Sequence, residues 1–169
     1  GQPPDPSALR TRLLAAAQNM DSRLVPARLF AVDLLSQMPD AEATSNLISL
    51  CDDARVAPSV RKQACLVLKM RSVGTEHLLE ALQRHAAYLQ GTTSPPVGAL
   101  ARAAATQGEK RAVAPVLTHL ADPDTRSEDL PIVVTALRDL GDAAAAEPLG
   151  NFLKLYHAEK KFDVKDVQS

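Results

Sequence analysis

Four histidines, two cysteines and several clustered carboxylates are the residues of this chain best suited to chemistry, and their spacing decides what they can do. Zinc sites and metalloprotease centres need paired ligands at short range. No His-x-x-x-His, Cys-x-x-Cys or His-Glu-x-x-His occurs, and His77 and His157 stand without partners. The carboxylates Asp52-Asp53, Asp122 with Asp124, and Glu128-Asp129 flank expected helix ends, where capping accounts for them better than general acid or base work. Cys51 and Cys65 occupy apolar helical positions and read as buried free thiols, which leans towards a reducing compartment. No glycine-rich phosphate loop is present. These residues predict neither an enzyme nor a metal or cofactor site.

The elements that position these residues follow a period. Pro39, Gly74, Gly108 and Gly141 are separated by 35, 34 and 33 residues, the interval of a helical repeat. Eight, seven and four positions before each mark the residues are apolar: Ala31, Val32 and Leu35; Leu66, Val67 and Met70; Leu100, Ala101 and Ala104; Val133, Val134 and Leu137. Four, eight and twelve positions after it they are apolar again, as in Leu78, Leu82 and Ala86, or Ala145, Leu149 and Leu153. Offsets of three and four put side chains on one helical face, so each mark is a turn between two helices with buried stripes. His85 and His119 share one column among these stripes and are expected to line the packed interior.

The helices expected are 7–20, capped by Ser7, then 26–38, 41–53, 58–72, 75–90, 95–107, 110–121, 128–140 and 143–159. No segment alternates with period two for long enough to make a strand. Aromatic residues are 3% of the chain and Trp is absent, so Leu, Ala and Val must build the core, as in closely packed helices. Nineteen basic and twenty acidic residues leave a net charge of −1, with no overall field to attract nucleic acid or an anionic membrane. No apolar run approaches the ~18 residues of a membrane span.

Basic residues supply the least ordinary pattern. Arg71 and Arg138 lie three positions before their marks, Arg102 and Lys69 six and five before, and Arg61 and Lys62 open their helix. One reading is a solvated helix face with a ladder between repeats from Arg61. The other is a positive edge that binds a partner.

The run Leu137-Arg138-Asp139-Leu140-Gly141-Asp142-Ala143-Ala144-Ala145-Ala146-Glu147-Pro148-Leu149 resembles the bacterial HEAT-like repeat, where a second helix ends in Leu-Gly and the next repeat opens with Ala, Pro and Leu. Gly108 to Pro115 repeats the spacing of Gly141 to Pro148, and Val60-Arg61 and Asp122-Pro123-Asp124 are similar to that family's inner turn. Pro39 departs from the glycine, and Ala57-Pro58-Ser59 from the acidic loop residue. The resemblance implies an all-α, right-handed solenoid of about four helix pairs, nine helices in all, whose second helices line a concave face. It implies no single activity, since most members bind proteins.

The expectation is therefore a non-catalytic scaffold at 7–159 that holds an acidic or helical segment of another protein on its second helices. Arg61, Lys62, Lys69, Arg71, Arg102 and Arg138 are the candidate binding residues. The alternative is a nucleic-acid-binding or glycosylase/lyase-type HEAT-like enzyme, for which the few aromatic residues and near-neutral charge are poor material. Residues 1–6 read as a linker or cloning remnant, and a removed upstream signal or anchor would place the protein in the periplasm or at the envelope. Residues 160–169 read as the start of a further repeat, with Val164 and Val167 in second-helix columns and Phe162 at its beginning.

Overall fold

The computed structural model describes residues 5–84 and 94–163, with side chains as far as Leu155. Among these residues the chain is helical throughout, without strands: α1 (Pro6–Ala17), α2 (Val25–Gln37), α3 (Ala41–Asp52), α4 (Pro58–Leu68), α5 (Thr75–Leu82), α6 (Val97–Thr106), α7 (Val113–Ala121), α8 (Leu130–Leu140) and α9 (Ala146–Asp163). Short 3-10 turns at 22–24, 110–112 and 143–145 lead into α2, α7 and α9. The expected helix starts at 110 and 143 are thus tighter turns that become α-helical three residues later. Asp5, and not Ser7, caps α1: its carboxylate accepts a hydrogen bond from the Ser7 N–H at 3.1 Å, with Pro6 in the first turn. Helix α5 stops at Leu82, and the expected continuation over 85–90 lies outside the described residues.

The periodic marks are turns, as their spacing predicts. Gly74, Gly108 and Gly141 all take left-handed φ values of 85°, 66° and 62°. At Gly74 the requirement is double, because a Cβ there would also fall 2.5 Å from the Cβ of Thr44. Each turn reverses the chain, and the helices settle into two rows. Helices α1, α3, α5, α7 and α9 touch in that order, and so do α2, α4, α6 and α8. Between the rows runs the core, in which Leu35, Leu47, Leu78, Leu82, Leu100 and Leu137 are almost fully withdrawn from water. The period also governs polar contacts. Among the described residues, side-chain hydrogen bonds that reach more than 14 positions along the chain span 27 to 37, one repeat and no further. His119 shows how this works: fully buried, it donates from Nε2 to the Leu82 carbonyl at 2.6 Å, satisfying the end of α5 from one repeat away.

Two expectations require correction. Leu66 and Met70 do not share the buried columns: they are 57% and 76% exposed, while the matching residues in α2, α6 and α8 are buried. The cause is register. Helix α4 ends at Leu68, six positions ahead of Gly74, whereas α2, α6 and α8 end one or two positions ahead of their marks. Its core stripe is Val60, Ala64 and Leu68, all fully buried, so Leu66 is turned outwards. The cysteines are the second correction. Cys51 and Cys65 form a disulfide between the last turn of α3 and the middle of α4, their Cα atoms 4.9 Å apart. The short turn after α3 folds α4 back so that two apolar positions face each other, and the argument from free thiols for a reducing compartment falls away.

The packed core and the disulfide are both measurable in urea denaturation. Leu82→Ala should cost ~2–5 kcal/mol, whereas Leu149→Ala should cost less than about 2 kcal/mol because that side chain is only partly covered on α9. Reducing the disulfide should lower stability by ~2–4 kcal/mol, given the 14-residue separation that it closes, and raise the intact mass by about two hydrogens.

Candidate functional site

The register of α4 creates the most distinctive surface of the molecule. Because its core stripe runs through Val60, Ala64 and Leu68, the opposite side carries Lys62, Leu66 and Lys69, spaced four and three apart on one helical face. Helix α4 also meets α6 over a shorter contact than α6 makes with α8, so the even-numbered row opens between them. A groove of about 460 Å³ occupies the opening. Arg61, Lys62, Leu66 and Lys69 form its α4 wall, Pro96 and Ala99 its floor, and Arg126, Glu128, Asp129 and Ile132 the far wall; the Cys51–Cys65 disulfide borders it.

The two walls differ in charge. Arg61, Lys62 and Lys69 make no ion pair among the described residues, and the Nε of Arg61 is buried without a hydrogen-bond partner. The expected ladder from Arg61 is therefore not formed; Arg10–Asp40, Arg84–Asp52 and Arg111–Glu76 link neighbouring repeats instead. On the far wall Arg126 lies 3.3 Å from Asp129 and 3.9 Å from Glu128. Asp129 is turned into the fold, where it receives the Gly98 N–H at the start of α6. A Cβ on Gly98 would fall 2.5 Å from that carboxylate, so only glycine lets the two elements meet so closely. Burial pushes the Asp129 carboxyl above its ordinary pKa, against the pull of Arg126 and the Gly98 amide.

The remaining basic candidates are committed elsewhere. Arg71 is 6% exposed and lies beneath the Pro39 turn. Its Nη1 donates to the carbonyls of Ser36 and Met38 at 2.8 Å, its Nη2 to that of Asp40 at 3.0 Å, and its Nε to the Thr44 hydroxyl at 2.9 Å. Burial lowers its pKa, opposed by the charge of Asp40. Arg71 is a structural residue, and reversing its charge would damage the fold. Arg102 and Arg138 both bind Asp139, Arg138 at 2.8 Å, and hold that carboxyl below its ordinary range. Of the six candidates, then, the structure gathers Arg61, Lys62 and Lys69 in one place, buries Arg71, and pairs Arg102 and Arg138 on a shared acid.

Sequence reasoning missed Leu66, Ile132 and the disulfide as parts of this groove. The signal that could have found them is the five-residue run Lys69-Met70-Arg71-Ser72-Val73, too long for a tight turn if α4 ends at Leu68. Two of the carboxylates close turns just past a helix, Asp53 accepting from the Arg55 N–H at 2.9 Å after α3 and Asp122 from the Asp124 N–H at the same distance after α7, while Asp129 at the start of α8 makes no capping bond to its own helix. The Arg55 side chain holds the Asp53 carboxyl down to about 2, the wrong direction for a general acid. Among the described residues no group of three His, Cys, Asp or Glu side chains could hold a metal ion, and no helix is long and apolar enough to cross a membrane. His85 lies outside the described residues.

In comparisons with known proteins, no protein-family model matches the chain, and no curated protein matches it.

Arg71→Met should destabilise the protein by roughly 2–4 kcal/mol, because the Ser36, Met38 and Asp40 carbonyls around the Pro39 turn lose a charged donor. Arg138→Met, at an exposed pair, should cost less than about 1 kcal/mol. Thermal melts of the two variants, read by circular dichroism, distinguish these roles.

Proposed function

We propose that this protein is a non-catalytic interaction scaffold: a right-handed HEAT-like solenoid that holds a segment of another protein on the face of its even-numbered helices. The two-row packing, the left-handed glycine turns and the one-repeat reach of the hydrogen bonds support the solenoid. The observation that carries the function is α4, which presents Leu66 at 57% exposure beside a groove while its neighbours in the row bury the equivalent residue. A large apolar side chain held in water next to a concavity is costly to a monomer and useful to a complex. The wall around it carries charge without internal partners, which suits recognition more than folding. The acidic side chains near the groove act in capping and pairing, so the reading needs no catalytic centre.

Site-specific photo-cross-linking tests it. A photoreactive residue at Leu66 should capture a discrete partner in cells that make the protein, while the same residue at exposed Glu80 on α5 should not. Capture from position 80 alone would move the binding face to the odd-numbered row, and capture from neither would discard the scaffold reading.

A further inference from the structure

We infer that the groove between α4 and α6 takes an acidic segment of a partner protein, with one large apolar side chain against Leu66, Ile132 and Ala99 and its carboxylates facing Arg61, Lys62 and Lys69. This rests on the scaffold reading and specifies its occupant. Charge complementarity selects the chemistry. The α4 wall carries three cations that make no ion pair among the described residues, Arg61 acting only at longer range on Asp53, whereas the single cation opposite, Arg126, stands beside two carboxylates, Glu128 and Asp129. A ligand therefore enters a groove that is basic on its α4 side and acidic on the other, which sets its carboxylates against α4.

The geometry restricts the ligand further. Lys62 and Lys69 are seven residues apart, so they are separated by about 10 Å along the helix at 1.5 Å per residue. That distance matches two carboxylates three residues apart in a polyproline II segment, which returns to the same face every third residue at about 3.1 Å per residue, or seven apart in a helical one. Between the two lysines stands Leu66, so the ligand needs an apolar residue between its acids. The volume of about 460 Å³ is in the range of cavities that enclose side-chain-sized groups. A continuous polyanion such as a nucleic-acid backbone fits less well. Glu128, with its side chain 76% exposed on the far wall, would repel it, while a peptide of mixed composition can keep its acids on the α4 side.

Selection from a random 16-residue phage-displayed library on the oxidised protein at low salt tests the inference. Enriched sequences should place Asp or Glu on both sides of Leu, Ile, Met or Phe. Lys62→Glu combined with Lys69→Glu should weaken the selected peptides at least ~10-fold, and Leu66→Ser by roughly the same factor. Arg12→Glu, on α1, should change affinity less than ~2-fold. Affinity should fall as salt rises, and the circular-dichroism melts of the variants show that they are folded. Enrichment of basic or uncharged sequences, or acidic sequences whose affinity survives both α4 variants, overturns the inference. The scaffold reading would then still stand or fall by cross-linking at position 66.

Discussion

The carbonyl groups at the end of α2 have no partner within their own helix, and the turn at Pro39 cannot supply one through a left-handed glycine. Arg71 answers that need from one repeat away, its guanidinium reaching three carbonyls and the Thr44 hydroxyl together. A planar fork of five donors suits the task, and an ammonium group would not span it. Much of the local structure follows from this placement. For Arg71 to reach beneath the turn, the chain after Leu68 leaves the helix early, and Gln107 in turn donates to the Arg71 and Val73 carbonyls at 3.1 and 3.3 Å. At these turns, carbonyls left over by one helix are satisfied by side chains about one period along the chain.

The same early ending of α4 links the fold to the groove. A helix in register with its neighbours would bury Leu66 and close the row; this one instead packs Val60, Ala64 and Leu68. The cost is an apolar residue in water and a thin junction with α6. The disulfide offsets part of it by tying α4 to α3 on the groove side. Helix α6 then begins against Asp129, with Gly98 leaving room for the carboxylate, and the extensive packing of α6 on α8 holds the floor to the far wall.

How much of this was legible in the sequence depends on whether a feature is local. The glycine turns, most of the apolar columns flanking them and the burial of His119 follow from spacing alone, because period and left-handed geometry are properties of the chain; among the described residues Leu66, Met70 and Leu153 are the column residues left exposed. The register of α4 was not legible. Residues 58–72 offer two apolar faces, one through Leu66 and Met70 and one through Val60, Ala64 and Leu68, and only the demand of the Pro39 turn for Arg71 chooses between them. The six basic candidates divided for the same reason, since whether an arginine caps a helix, pairs with Asp139 or stays unpaired depends on elements a full repeat away. The disulfide depended on how sharply the chain turns after α3, which composition does not record.

The one-repeat reach of the polar contacts sets a length scale for everything that happens to this molecule. Information about a disturbance passes from helix to helix only through adjacent pairs, so its effect is attenuated at each step. The Pro39 turn meets Arg71 directly, and among the described residues no side-chain hydrogen bond joins that turn to α6 or α9. The protein behaves as a chain of coupled neighbours, in which evolution can revise one groove without rewriting the next.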